Sequence, residues 1–261
     1  MFHAITFDLW QTLIFDMPEQ EEKRKAKRVE EMTQLLAARD VAVEKAAIAS
    51  AHDAVWLRCA GAWKEDRDLS AREQTLNFLE LAGVTLETSL SEDLLAAAEE
   101  IYSGGVLADL PNLMDAAVET VKVLRDHGLK IGLICNTGRT PGYRLRGILD
   151  THGLLPLFDV LTFSDEIKVR KPETQIFFAT LEKLHALPNR SVHVGDDLET
   201  DIRGAHDAGM KAVHFEHDPA VLALRRPPSF QTPEEIQKRP PARPDGVIKS
   251  LRELPQVVAG L

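Results

Sequence analysis

The chain has 261 residues, of which 44% are hydrophobic and 28% charged, and its formal net charge is -10. No window approaches the roughly 18 uninterrupted apolar residues that a membrane helix needs, which excludes a membrane-spanning role. The negative charge repels phosphate backbones on average, so nucleic acid is a poor partner. This charge does not exclude a small anionic substrate. Because the N-terminus lacks the pattern of a signal peptide, we expect a cytoplasmic protein; the sequence does not indicate its oligomeric state.

Cysteine and histidine spacing does not predict a structural metal site. Cys59 and Cys135 are far apart and belong to no CxxC pattern, which argues against a disulfide framework or a zinc site. His214 and His217 are neighbours in HFEH, but no third ligand is near them in the sequence. A chance pair is therefore the simpler interpretation.

Apolar, β-branched and aromatic runs recur along the chain in the manner of buried parallel strands. They cover residues 2–9, 129–135, 157–163, 190–195 and 211–215. Helix-like segments separate them, and three of these end at Gly128, Gly153 and Gly209. This alternation predicts a doubly wound α/β fold, in which a parallel sheet carries helices on both faces. Right-handed crossovers bring the carboxyl ends of the strands to one edge, where we expect the chemistry.

The pattern changes between Ile14 and Leu107 to long amphipathic helices. Clear examples are 19–39, 43–60 and 71–82. We therefore predict a core domain formed by residues 1–15 and 108–261 and an inserted helical domain over 16–107.

Two further segments follow the last long strand. Residues 216–243 are rich in proline and charge, which suits a surface excursion of the core, although Thr232, Pro233 and Glu235 are spaced to start a short helix. The tail from Gly246 predicts a last short strand and helix that return to the core.

Polar residues follow the strands in a suggestive order. Asp8 ends the first strand, where a carboxylate can attack an electrophilic centre, although an aspartate there is also a common helix cap. The later strands are followed by Asn136 with Thr137, by Lys171 and by an acidic segment. That segment, GDDLETDIRG, contains Asp196, Asp197 and Asp201.

In this order the four groups of residues resemble the four motifs of the haloacid dehalogenase-like superfamily, and the resemblance covers nearly the whole chain. KPETQIF followed by VGDDLETDIRGAHDAGM is similar to the subfamily whose cap is inserted directly after the first motif, where the helical segment falls here. The resemblance implies a Rossmann-like core, an all-helical cap domain and a hydrolase whose nucleophile is Asp8.

A Mg²⁺ site is the cofactor that this resemblance implies. It makes Asp196 a direct ligand beside Asp8 and the backbone carbonyl of Trp10, with Asp201 in support; carboxylates suit this hard cation. The plainer alternative is that the acidic segment only caps a helix. Lys171 would reduce the repulsion between Asp8 and a bound anion.

Substrate contacts are less defined. Asn136 and Thr137 either donate to substrate oxygens or form an ordinary turn. Cys135 stands where the family has a serine or threonine donor, and a thiol donates weakly, so Cys135 is either a weak donor or a buried apolar residue. Arg58, in VWLR, resembles the carboxylate-binding arginine of haloacid dehalogenase caps, but it also suits a solvated helix face.

Trp10 is the main departure from the phosphatase pattern. Phosphatases of the superfamily usually have a second aspartate there to protonate the leaving group, and indole cannot do this. We predict Mg²⁺-dependent hydrolysis of a small phosphate ester. The alternatives are hydrolysis of a carbon–halogen bond, as in the 2-haloacid dehalogenases, which usually have tyrosine there and lack the metal, or a degenerate fold that acts as a binding protein.

Overall fold

The computed structural model describes residues 1–85, 91–218 and 242–261. Most of the predicted excursion at 216–243, including the possible helix start at Thr232, lies outside the described residues.

Within these ranges eight strands occur, and six of them form one sheet. The strands are β1 (Ala4–Phe7), β2 (Ile14–Phe15), β3 (Asn112–Leu113), β4 (Lys130–Cys135), β5 (Val160–Phe163), β6 (Ser191–Gly195), β7 (Lys211–Phe215) and β8 (Gly246–Ile248). The sheet order is β5-β4-β1-β6-β7-β8, and every neighbouring pair is parallel. The five predicted strands and the strand in the tail are confirmed. Because β1 lies between β4 and β6, the loops that follow these three strands meet at the same edge.

The described helices divide between the two faces of this sheet and the insertion. They are α1 (Pro18–Ala37), α2 (Lys45–Trp63), α3 (Ala71–Leu81), α4 (Glu92–Gly104), α5 (Ala117–Asp126), α6 (Gly142–Thr151), α7 (Ser164–Ile167), α8 (Thr174–Leu184), α9 (Gly204–Asp207) and α10 (Leu254–Gly260). One apolar core contains side chains of α5, α6 and α10 with Leu133 and Cys135, and another contains α8 and α9 with Ile134. Because successive residues of β4 point to opposite faces, helices cover both sides, which confirms the doubly wound fold.

Helices α1 to α4 lie between β2 and β3 and have an apolar core of their own, which includes Met32, Val55, Phe78 and Tyr102. We call this helical insertion the cap. The start of α3 follows from a capping box, in which Ser70 and Glu73 bond to each other's backbone N–H groups. No helix in the described part of the chain combines the length and the apolar character needed to cross a lipid bilayer.

The chain enters and leaves the cap through a two-stranded ribbon that the sequence did not predict. β2 pairs antiparallel with β3, with Ile14 opposite Leu113 and Phe15 opposite Asn112. The three predicted helix ends are confirmed: Gly128, Gly153 and Gly209 all have positive φ angles, which glycine adopts without steric cost.

Candidate active site

Asp8 lies directly after β1 at the carboxyl edge of the sheet. Its backbone N–H donates to the carbonyl of Val194 in β6 at 2.8 Å, so the ladder between the two strands continues to this residue. The residue is 6% exposed. The sheet therefore fixes the position of this carboxylate at the edge where β1, β4 and β6 end.

Lys171 joins the acidic residues into one group. Its ammonium donates to Asp8 Oδ1 at 2.5 Å and to Asp201 Oδ1 at 2.6 Å, and the residue is 3% exposed. Asp8, Asp196 and Asp201 each offer a carboxylate oxygen, and these oxygens lie within 4.8 Å of one another. The structure thus brings together the four side chains that the motifs singled out.

The charges in this group influence one another strongly. Burial alone would lower the pKa of Lys171, but Asp201 and Asp8 outweigh it and hold the pKa above its usual range. Burial raises the pKa of Asp8 and outweighs the lowering effect of Lys171, so that this pKa is about 6. At Asp201 burial acts in the same direction, but Lys171 and His193 hold the pKa well below its usual range. Asp201 is therefore the firmly ionised partner of the lysine.

A sharp turn after β6 supplies two of the three carboxylates. Asp197 caps a π-helical turn, Leu198–Arg203, because its Oδ1 accepts from the N–H groups of Glu199 and Thr200. The N–H of Asp197 donates in turn to Asp201 Oδ2 at 3.0 Å. A Cβ built on Gly195 would collide with the Asp201 carboxyl group, so the bare backbone of glycine makes room for it.

This donor set fits a hard divalent cation. Mg²⁺ prefers carboxylate oxygens, and it needs few protein ligands because water and substrate complete its coordination. Among the described residues, Asp8, Asp196 and Asp201 form the one group of three or more such side chains close enough to hold an ion.

Asn136 connects the second motif to the backbone of Lys171. Its side-chain amide donates to the carbonyl of Lys171 at 2.9 Å, and its Oδ1 accepts from the N–H of Lys171 at 2.8 Å. Cys135 is fully buried in the core, where its thiol donates to the carbonyl of Asn136 at 3.6 Å and burial raises its pKa. In this structure both side chains form hydrogen bonds to the backbone of the protein itself.

Thr137 contacts the cap. Its hydroxyl donates to Asp68 Oδ2 at 3.0 Å, and its N–H donates to Ser164 Oγ at 2.8 Å. Asp68 belongs to the segment between α2 and α3, so a buried carboxylate of the cap accepts from the hydroxyl that was one candidate donor to substrate.

Two predicted substrate contacts, Trp10 and Arg58, make no side-chain hydrogen bond to the described residues of this group. Trp10 is half-buried in the turn after β1 and packs against the main core, next to Gln11, whose φ angle is +62°. Arg58 is on the exposed face of α2, where it donates to Glu80 of α3 at 2.5 Å. The structure does not bring Arg58 into the acidic group, because Val55 and Cys59 are the residues that this turn of α2 buries.

The side of α2 that meets the core carries Trp56 instead. Its ring lies against Gly138, where an added Cβ would be 3.0 Å from the indole, and the guanidinium of Arg139 lies 5.1 Å from the ring centroid. Arg139 also donates to Glu21 at 2.9 Å and to the carbonyl of His52 at 2.8 Å. Arg139 and Asp68 were not predicted from the sequence. Arg139 lies three residues after Asn136, and this position could have indicated that it is near the site.

The two neighbouring histidines support the site loops. His214 donates to the carbonyl of Asp196 at 3.0 Å, and His217 donates to the carbonyl of Gln11 at 2.6 Å. They bond separately to the fourth and first motifs, which agrees with the prediction that they are not a metal pair.

A family model described as haloacid dehalogenase-like hydrolase matches residues 2–209, well over half of the chain. The chain belongs to this family. A second model, of HAD-hydrolase-like proteins, matches residues 168–254. The site described above therefore lies within the matched region of a haloacid dehalogenase-like hydrolase.

Relatives and solved structures of this family include phosphatases and dehalogenases. The chain is similar to a glyceraldehyde 3-phosphate phosphatase of Methanopyrus kandleri, with 35% identity over 124 residues, 47% of this chain and 51% of that protein. It therefore spans about half the length of this curated relative. Its fold is similar to that of a HAD phosphatase from Thermococcus onnurineus (TM-score 0.58, 24% identity, 99% of this chain and 98% of that chain). It is also similar to that of a 2-haloacid dehalogenase from Pseudomonas syringae (TM-score 0.66, 20% identity, 100% and 99%).

Proposed function

We propose that this protein hydrolyses small phosphate monoesters through an aspartyl phosphate formed on Asp8. The observation that carries the proposal is the position of the Lys171 ammonium, which contacts both Asp8 and Asp201 beside Asp196. Of the reactions open to a buried carboxylate, attack on an anionic phosphoryl group is the one that most needs such a fixed positive charge.

In the proposed reaction a carboxylate oxygen of Asp8 forms a bond to phosphorus while the bond to the leaving oxygen breaks and its electron pair goes to that oxygen. Lys171 reduces the repulsion between Asp8 and the phosphoryl oxygens. Mg²⁺, held by Asp8, Asp196 and the backbone carbonyl of Trp10 with Asp201 in support, would neutralise further charge on those oxygens. Water then attacks the aspartyl phosphate, which releases inorganic phosphate and restores Asp8.

Trp10 restricts the substrates that suit this site. A phosphatase that places aspartate here can protonate the leaving oxygen, whereas the indole of Trp10 cannot. We therefore propose that the best substrates are esters whose leaving oxygen is stable without a proton, such as aryl, acyl or enol phosphates.

We further propose that residues 16–107 are the cap domain and residues 1–15 with 108–261 the core domain. The cap then covers the edge of the sheet and selects the substrate, while substrate contacts from Cys135, Asn136, Thr137 and Arg58 stay predictions. The similarity to the glyceraldehyde 3-phosphate phosphatase of Methanopyrus kandleri supports a small phosphorylated substrate.

The test is turnover of a panel of phosphate esters with Mg²⁺ by the wild type and by Asp8→Asn. We expect the wild type to release phosphate and to retain labelled phosphate after an acid quench, and we expect Asp8→Asn to do neither. Failure to hydrolyse any ester at high enzyme concentration would contradict the proposal, and Mg²⁺ binding without turnover would favour a binding role.

Trp10 also supports a second candidate, the hydrolysis of a carbon–halogen bond. Halide needs no proton as a leaving group, so an aromatic residue at this position does not obstruct that reaction. Arg58, whose carboxylate-binding role stays a prediction, is paired with exposed Glu80 in this structure. Chloride release from 2-chloropropionate without added metal would favour this candidate over the phosphatase.

A further inference from the structure

A line of buried polar side chains runs from β1 through β6 to Lys171. Thr6 and His193 are register partners on these strands, and Thr6 Oγ1 lies 2.8 Å from His193 Nδ1. On the other side of the ring, His193 Nε2 lies 3.2 Å from Asp201 Oδ1, the oxygen that also accepts from Lys171. Thr6 and His193 are fully buried and Asp201 is 1% exposed.

The chemistry of the partners fixes the direction of one of these hydrogen bonds. An ionised carboxylate only accepts, so His193 Nε2 carries a proton and donates to Asp201. Nδ1, the other ring nitrogen, lies 2.8 Å from the Thr6 hydroxyl. The second polar neighbour of this hydroxyl, the carbonyl of Val192, is more distant at 3.5 Å, so the main partner of Thr6 is the ring.

We propose that Thr6 and His193 are positioning residues, which orient the Asp201 carboxylate and thereby set the place of the Lys171 ammonium beside Asp8. The proposal deepens the phosphatase function and rests on it. Neither residue touches the reacting atoms, and neither belongs to the motifs that identified the site.

The contacts of Asp201 explain why one histidine matters. Oδ1 accepts from Lys171 and His193, and Oδ2 accepts from the N–H of Asp197, so three donors fix the rotation of this carboxylate. Without the N–H of His193, the carboxylate can rotate and no longer holds the Lys171 ammonium in one place between Asp201 and Asp8. A lysine that is held less firmly places its charge less accurately against the phosphoryl oxygens, which lowers kcat.

The experiment compares His193→Leu, His193→Gln and Thr6→Val in steady-state hydrolysis of an aryl phosphate. We expect His193→Leu and Thr6→Val to lower kcat by about ten- to a hundredfold, the usual effect of losing an outer hydrogen bond to a site residue, with KM changed by less than about twofold. His193→Gln should recover most of kcat, because its amide N–H can replace Nε2–H.

Thr180→Val is the matched control for Thr6→Val. Thr180 is also a fully buried threonine, but its hydroxyl bonds to Thr162 Oγ1 at 2.8 Å and not to the site. Urea denaturation should show a similar loss of stability in both variants, while Thr180→Val keeps the wild-type kcat. Equal kcat values in His193→Leu and Thr180→Val would overturn the proposal.

The tautomer of His193 gives a second measurement that does not depend on turnover. Nitrogen-15 NMR of the ring should show a proton on Nε2 in the wild type, assigned by the absence of the signal in His193→Gln. A ring without a proton on Nε2 would overturn the proposed arrangement. If the wild type hydrolyses no phosphate ester, the phosphatase function fails, whereas the tautomer still decides the hydrogen-bond direction.

Discussion

Asp68 in the cap accepts a hydrogen bond from Arg170 Nη1 in the core at 2.7 Å, and Arg170 directly precedes Lys171. The Asp68 side chain is fully buried and also accepts from Trp63 Nε1 at 2.9 Å and Leu69 N at 2.8 Å. Next to it, the N–H of Arg170 donates to the carbonyl of Asp66 at 2.8 Å. The cap is thus bonded to the chain segment that carries the site lysine.

Replacing Asp68 with asparagine should destabilise the protein by about 3 kcal/mol, because it removes a fully buried carboxylate from Arg170, whose side chain is 13% exposed. Chemical denaturation measures this loss. Glu80→Gln, which removes a carboxylate from the exposed pair with Arg58, should change stability by less than about 0.5 kcal/mol. Equal effects of the two substitutions would contradict a structural role for the buried pair.

Replacing Lys171 with methionine should lower kcat for phosphate esters at least about a hundredfold, as expected when a fixed donor to developing charge is lost. The cause is repulsion between Asp8 and the substrate. Lys183→Met, at an exposed position on α8, should keep the wild-type kcat. Steady-state kinetics at saturating substrate distinguishes the two, and an active Lys171→Met enzyme would rule out this role.

Removal of Mg²⁺ by a chelator should abolish turnover, and Asp196→Asn should raise the Mg²⁺ concentration for half-maximal activity at least about tenfold. Asp197→Asn is the control, because asparagine can still cap the turn at Glu199 and Thr200. Calorimetry of Mg²⁺ binding should follow the same order of affinities. The metal assignment would not survive unchanged affinity in Asp196→Asn.

Trp10→Asp should introduce the missing proton donor. We expect it to raise kcat/KM for alkyl phosphates about a hundredfold relative to aryl phosphates, and to make log kcat/KM less dependent on the pKa of the leaving group. Trp10→Phe should retain the steep dependence of the wild type. A shallow dependence in the wild type would show that another group already donates the proton.

Buried His52 should make stability depend on pH. Burial and the charges of Arg139 and Arg28 lower its pKa from 6.5 to about 3, against the opposing effect of Asp53. Between these values the unfolded chain binds one more proton than the folded chain, so the free energy of unfolding decreases as pH falls. From pH 6.5 to about 5.5 the wild type should lose about 1 kcal/mol more than His52→Gln. Urea denaturation at both pH values tests this difference.

The sequence was sufficient to predict the elements whose signal is local. The six strands of the main sheet are mostly apolar runs, and the acidic residues and Lys171 follow them at the edge that the topology dictates. The ribbon of β2 and β3 escaped prediction because two-residue strands have no periodicity, and their pairing joins positions almost a hundred residues apart.

Side-chain contacts between cap and core could not be predicted in the same way. VWLR indicated Arg58, but the rotation of α2 turns Trp56 towards the core and leaves Arg58 exposed. Nothing around Asp68 in the sequence indicates its partner Arg170, which lies 102 positions later. Such contacts depend on how the two packed units meet, which no local pattern encodes.

The ribbon of β2 and β3 holds the two ends of the helical insertion side by side. Phe15 and Asn112 face each other, so the chain leaves the core and returns to it at adjacent points. Insertions or deletions between these points change the helical insertion without stretching the sheet that holds Asp8. Substrate preference can therefore diverge by exchange of one continuous segment, while the reacting group keeps its place.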